Sequence, residues 1–178
     1  MAKVIIDANV IYLARIPVPG FSDDVLPLAR KCIEFIENLK KDKSAKVVLD
    51  GGLEIYKEYL DAFTEVKETA PNAGAAFCHW FFTYFSRIAA EDFVQITPIE
   101  EKRKYKEFPN DPRLEEFDKS DKKYVAVANK HPEHPPIYEG SDSKWLGYRD
   151  VLTEYGINII FLDENYAIQK FKEKMGID

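Results

Sequence analysis

The sequence predicts an α/β domain built on a parallel β-sheet flanked by helices. Three observations carry this: an apolar run, Val4-Ile5-Ile6, that stops at Asp7; an alternation of strand-like and helix-like segments; and further extended runs, at 47–49 and 137–138, that also lead into acids, Asp50 and Asp142. A strand bare of polar residues suits the middle of a parallel sheet, covered on both faces. Open parallel sheets place their ligands just beyond the carboxyl ends of the strands. Asp7 is therefore a site candidate by position, with capping of the following turn as the alternative.

At 178 residues, 46% hydrophobic and 31% charged, the chain fits one domain over 1–178 with an ordinary core. Cys32 and Cys78 lie far apart and outside any CxxC pair, so neither a zinc knuckle nor a disulfide framework is indicated. Both read as small buried hydrophobes. The first residues lack a basic-then-apolar signal pattern. The most apolar stretch, 75–90, is broken by His79, Thr83, Ser86 and Arg87 and is too short and too polar for a membrane span. A soluble, cytoplasmic protein with no membrane partner is the expectation. The net charge of -6 disfavours a general nucleic-acid coat protein, yet it is compatible with metal-binding carboxylates beside local basic patches.

Along the chain, residues 16–21 read as a Pro/Gly loop. Ser22 is placed to cap a helix that runs to about Lys40, with Asp23 and Asp24 at its positive end and Pro27 delaying its regular part. Val25, Leu28, Cys32, Ile36 and Leu39 mark its buried face. Residues 47–49 give a short strand ending at Asp50, and Gly51-Gly52 leads into a helix through Val66. An aromatic helix over 75–90 follows. Its Phe77, Phe81, Tyr84, Phe85 and Ile88 are spaced for the core or, as a second use, for a homodimer or other subunit interface. Residues 93–99 read as an extended connector and 100–112 as a solvated loop or short helix.

Asn110-Asp111-Pro112 signals a turn, after which 114–129 reads as a helix. At about 100° per residue, Leu114, Phe117, Tyr124, Val125 and Ala128 fall within roughly 60° of Asp121. That puts a carboxylate in the middle of an apolar face, where burial is costly unless the group is paired or bound to a metal. Asp118 lies nearer the edge of that face. A capping role near the helix start is the alternative for Asp121. A Pro-rich turn at 131–136, the short strand leading to Asp142, a helix over 144–155, a strand over 157–162 and a last helix complete the pattern. His131 and His134 sit in the Pro-rich turn without ligand spacing, so no zinc site is expected there.

Taken in order, VIIDANV (Asp7), IYKEY (Glu58 before Tyr59), DKKYVAVA (Asp121 before an aromatic and small apolar residues) and SDSKW (Asp142), closing with GINIIFL, resemble the PIN-domain nucleases over nearly the whole chain. The resemblance implies an α/β/α sandwich whose strands converge on one acidic pocket. That pocket would bind Mg2+ or Mn2+ and cleave phosphodiesters, usually in RNA. On this reading Asp7, Asp121 and Asp142 hold the ion, Glu58 positions the attacking water, and Asn9 and Ser141 orient ligands. Hard oxygen donors select magnesium or manganese. Two carboxylates about 4 Å apart repel by roughly 4 kcal/mol at an effective dielectric of about 20, so such a cluster calls for cations.

The chain departs from the family pattern in two places. Many members carry a second acid two residues after the last one, where this chain has Lys144. Glu58 lies roughly opposite the apolar face of Leu53, Tyr56, Leu60 and Phe63, which leaves Glu54 as a competing ligand. For the RNA substrate, Lys102, Arg103, Lys104 and Lys106 with Tyr105 and Phe108 interleaved offer phosphate contacts and base stacking. Lys119, Lys122, Lys123 and Lys130 form a second basic group, and a solvated charged face is the alternative for both groups. Two rival readings stand beside the nuclease. One is a catalytically weak or inactive PIN-like RNA- or protein-binding module, and the other is a phosphatase of the haloacid dehalogenase type, whose DxD pattern fails at Asn9. Within the nuclease reading, the roles of a toxin with an antitoxin partner, an RNA-processing enzyme and a defence nuclease all stay open. The added length over 65–112 disfavours a minimal toxin.

Overall fold

The strands of the computed structural model are β1 (Lys3–Ile6), β2 (Lys46–Val47), β3 (Leu49–Asp50), β4 (Phe93–Val94), β5 (Ile137–Glu139) and β6 (Ile159–Phe161). The helices are α1 (Ala8–Leu13), α2 (Leu26–Lys41), α3 (Glu54–Val66), α4 (Ala73–Phe85), α5 (Lys122–Lys130), α6 (Arg149–Glu154) and α7 (Glu164–Met175). The structure describes residues 3–14, 21–66, 72–85, 88–102 and 104–177. Most of the expected Pro/Gly loop, Ser86, Arg87 and Arg103 lie outside the described residues.

The fold is α/β, a parallel sheet flanked by helices. β1 lies between β2 and β5, and β6 extends the sheet beyond β5, giving the order β2-β1-β5-β6 with every pairing parallel. β3 pairs in parallel with β4. Only Val48 separates β2 from β3, and its amide donates to the Val4 carbonyl at 2.9 Å. Residues 46–50 thus form one extended stretch that turns from β1 to β4. Ile5 and Ile6 are fully buried, as a central parallel strand requires.

Several elements differ from the sequence expectation for identifiable reasons. The expected connector over 93–99 contributes β4, a strand too short to give a periodic signal. Ser22 does not cap α2; Val25 holds that position without a side-chain bond, and Pro27 sits in the first turn, where its missing N–H costs nothing. Leu28, Cys32, Ile36 and Leu39 are buried, as their spacing predicts. Residues 100–112 are not a solvated loop. Tyr105 and Phe108 are buried, and Pro98 and Tyr105 form an antiparallel bridge. The single helix expected over 114–129 is instead a 3-10 turn at Pro112–Leu114 followed, after an irregular stretch, by α5. Asp118 causes the interruption by accepting from the Ser120 amide at 2.8 Å, a local bond that competes with helix. The helix expected over 144–155 is likewise split into a 3-10 turn, Ser143–Gly147, and α6.

The aromatic helix α4 packs largely inward. Phe77 and Phe81 are buried against Tyr59, at ring-centroid distances of 6.0 and 5.1 Å, while Trp80 and Tyr84 stack on each other at 5.1 Å. Cys32 and Cys78 are both buried and free. Among the described residues no helix is long and apolar enough to cross a membrane.

Asp50 shows how a strand-end acid serves the fold alone. It is 1% exposed, and its two carboxylate oxygens accept from the Glu54 and Ile55 amides at 2.9 and 2.8 Å. This holds the tight turn in which Leu53 takes a left-handed φ of 61°. Asp50→Ala is expected to destabilise the protein by about 2 kcal/mol in urea denaturation, at the upper end for a lost cap because the amides are buried. A loss below about 0.5 kcal/mol would contradict this capping role.

Candidate functional site

The strand register decides which acids meet. Ile6 pairs with Tyr138, and the Asp7 amide donates to the Tyr138 carbonyl at 3.0 Å, so Asp7 follows β1 alongside Glu139, the last residue of β5. The sheet grows from β1 toward β2 in one direction and toward β5 in the other. The ends of β1 and β5 are therefore the topological position at which open α/β sheets bind ligands. Asp7 is 7% exposed and Glu139 is fully buried.

Not every strand-end acid is free to react. Asp163, behind β6, caps α7 through the Tyr166 amide and pairs with Lys31 at 2.9 Å, and both oxygens of Asp50 are spent on amides. Glu139 differs. Its Oε1 accepts from the Asn9 side-chain amide and from the Asp142 backbone amide, whereas its Oε2 is buried without a hydrogen-bond partner. Burial and the neighbouring Asp7 charge push its pKa well above the ordinary carboxyl range. Sequence reasoning passed over Glu139, although a signal existed. In a strand the side chains alternate, so a buried Ile137 puts residue 139 on the same covered face.

Asp7 accepts from the Asn9 amide at 2.9 Å, and so does cap α1. That bond does not offset its surroundings. Burial, then the charges of Asp121 and Glu58, raise its pKa to about 7. Asn9 holds the pair together, accepting from the Gly140 amide at 3.0 Å while its NH2 group serves Glu139. Gly140 is required for that approach, since a Cβ there would lie 2.8 Å from Asn9 Oδ1.

Asp121 is not in the middle of a helix face. It stands at the N-cap position of α5, with no side-chain capping bond, and accepts from Ser120 Oγ at 3.0 Å. Burial raises its pKa to about 6, with Asp118 and Asp142 adding to the rise and Ser120 and Lys123 opposing it. Glu58 comes to the same region from α3. One of its oxygens lies 2.5 Å from the Lys123 ammonium and the other accepts from the Tyr124 hydroxyl. Tyr124 Oη also accepts from the Ala8 amide at 3.4 Å, and Tyr59 Oη donates to the Ile6 carbonyl at 2.7 Å, so both tyrosines brace the end of β1. Glu54, the competitor, is turned elsewhere, to Tyr105 Oη at 2.7 Å and Lys104 at 3.7 Å.

Asp142 opens the 3-10 turn at Ser143–Gly147, accepting from the Lys144 amide at 3.1 Å, with Lys174 at 3.7 Å. Asp142 and Asp118 face a crevice of about 70 Å³ walled by Phe117, Trp145 and Tyr148, with Lys144 at its side. A larger cavity of about 450 Å³ lies around Phe108, Pro112 and Lys122, and none of Asp7, Glu58, Asp121, Glu139 or Asp142 lines it. Ser141 contributes its carbonyl to the Ser143 amide.

The basic residues are largely engaged within the protein. Tyr105 and Phe108 are buried and cannot stack a base. Lys102 pairs with Glu115, Lys104 with Glu54 and Lys130 with Glu107. Lys122 is buried, donating to the Lys102 and Glu115 carbonyls at 2.8 and 3.2 Å, and Lys123 is 3% exposed. His131 is buried beside Lys3, at the start of β1, and Asp92.

Among the described residues, no three His, Cys, Asp or Glu side chains converge as a ready-made metal-holding group. Glu58 is turned to Lys123 and Tyr124, and Asp142 to the Lys144 amide, which spreads the carboxylates. The donor set nonetheless fits a hard divalent cation. It is all oxygen, and Asp7 and Glu139 are buried close enough for their carboxyls to share a proton, which a bound dication would replace.

The raised acids give stability a definite pH dependence. With Asp7 near 7 and Asp121 near 6 against an ordinary 3.8, the folded protein keeps protons that the unfolded chain releases. Their contribution is therefore intact below about pH 4 and is lost as pH rises toward 7, by a few kcal/mol in order of magnitude. In EDTA, Asp7→Asn is expected to melt higher than wild type near neutral pH, with the difference shrinking toward about pH 4. A difference that stays constant across that range would contradict the raised pKa.

No protein-family model, curated protein or solved structure matches this chain.

Proposed function

We propose that the chain is a PIN-like, divalent-metal-dependent endoribonuclease acting on single-stranded RNA. The observation that carries this is the burial of Asp7 beside Glu139 at the ends of β1 and β5, with Glu139 Oε2 left without a partner. Burying two acids together is expensive unless a cation joins them. Asp121 and Glu58 lie near enough to raise the pKa of Asp7, and Asp142 near enough to raise that of Asp121. In this reading Asp7, Glu139, Asp121 and Asp142 hold a magnesium or manganese ion. The bound ion supplies Lewis-acid stabilisation of a phosphate oxygen and acidifies a water. Asn9 fixes the Glu139 carboxylate, Tyr124 fixes Glu58, and Glu58 orients the attacking water. RNA as the substrate rests on the resemblance of the four sequence motifs to the PIN nucleases.

A second reading, an inactive or weak PIN-like module that binds RNA or a protein partner such as an antitoxin, is favoured by one observation. The Lys123 ammonium already occupies one oxygen of Glu58. A cleavage assay separates the two. With Mg2+ or Mn2+, the wild type is expected to cut single-stranded RNA in preference to duplex RNA and single-stranded DNA. Asp7→Asn and Asp121→Asn should each lower the rate by roughly a hundredfold, as loss of a metal-site group does. Metal-dependent cleavage unchanged by both substitutions removes the pocket from the reaction, and RNA retention without cleavage supports the binding module.

A further inference from the structure

Lys123 belongs to a run of lysines that reads in sequence as a solvated surface, and the structure turns it inward. On the first turn of α5 its side chain is 3% exposed. The ammonium donates to Glu58 Oε1 at 2.5 Å and to the Ser120 carbonyl, and it lies 4.6 Å from the centroid of the Tyr124 ring. A buried ammonium is retained only where such partners replace water. The other oxygen of Glu58 accepts from Tyr124 Oη, so this carboxylate is already matched by one cation and one hydroxyl.

The remaining acids divide the pocket. Asp142 has Lys174 at 3.7 Å. Among the described residues, Asp7, Asp121 and Glu139 have no basic side chain within ion-pair distance, and the unpartnered oxygen is on Glu139, not on Glu58. The acids without a basic partner are thus Asp7, Glu139 and the neighbouring Asp121, apart from the Glu58–Lys123 pair. Two-metal hydrolytic sites hold their ions about 3.5–4 Å apart, so a fixed ammonium on one half of such a pocket repels a second dication.

We propose that Lys123 is a built-in cation standing in place of a second divalent ion, so that the pocket takes a single Mg2+ or Mn2+ on its Asp7–Glu139 side. This rests on the metal-dependent reading of the site. It makes Lys123 a positioning residue, holding Glu58 without binding substrate itself. The test is manganese stoichiometry, read by calorimetric titration and by the electron paramagnetic resonance of bound Mn2+. Wild type and Lys123→Arg should each bind one ion with an uncoupled signal. Lys123→Met should bind a second, at least about tenfold tighter than any second ion on wild type, with spin coupling between neighbouring ions. Two coupled ions on wild type overturn the proposal whatever the variants do, and so does a single ion on a folded Lys123→Met. Should wild type bind no manganese, with Asp7→Asn behaving identically, the metal-dependent reading itself fails and takes this inference with it. That result is distinct from a two-ion wild type, which leaves the nuclease reading standing.

Discussion

Two carboxyl groups buried side by side at the ends of neighbouring strands are the constraint around which the rest of this molecule is arranged. The register of β1 on β5 puts Asp7 against Glu139 and leaves neither with a basic partner among the described residues. What surrounds them is hydrogen-bond donors. The Asn9 side chain and the Asp142 amide serve Glu139, and the Asn9 amide serves Asp7. Tyr59 and Tyr124 brace the strand end from α3 and α5. Fixed dipoles of this kind tolerate a buried charge without cancelling it.

At the opposite end of β1 a buried acid is handled differently. Asp92, just before β4, is fully buried, yet Lys3 lies 2.8 Å and Lys46 3.7 Å from its carboxylate. It is held by charge more than by aligned hydrogen bonds. The first residues of β1 and β2 supply those lysines, so this fold has the means to neutralise an acid at a strand end. Beyond β6 it does the same for Asp163 with Lys31, whereas among the described residues no basic side chain pairs with Asp7 or Glu139.

How much of this could be read from the chain follows from which signals are local. The apolar run into Asp7, the strand before Asp142 and the buried face of α2 depend on short-range periodicity, and they stand where the pattern puts them. Asp121 lies near Asp7 by a different route from the one expected. The helical wheel assumed a continuous helix over 114–129, and the Asp118–Ser120 bond ends that continuity. The wheel of its own helix sets Glu58 apart from the apolar face, and its partners, Lys123 and Tyr124, come from α5, which no wheel of α3 can show. Tyr105 and Phe108 looked like an aromatic–basic nucleic-acid surface, and only the long-range packing of 98–117 reveals them as core. Glu139 was legible in principle, by counting two residues from Ile137. A charged residue inside a strand is ordinarily assigned to the solvent side, and here the alternation from Ile137 outweighs that assignment.

The crevice between Asp118 and Asp142 has a consequence for what can reach these acids. Its volume of about 70 Å³ is room for a few waters, and its walls are the packed rings of Phe117, Trp145 and Tyr148, with Phe117 and Trp145 meeting edge to face at 4.9 Å. Rings locked in this way resist being spread apart. An ion with a few waters fits between Asp118 and Asp142, and a ring the size of a nucleobase or an indole does not. Any larger molecule that meets these two acids must do so from the rim, so its shape would be read by the surface around the crevice and not by the crevice itself.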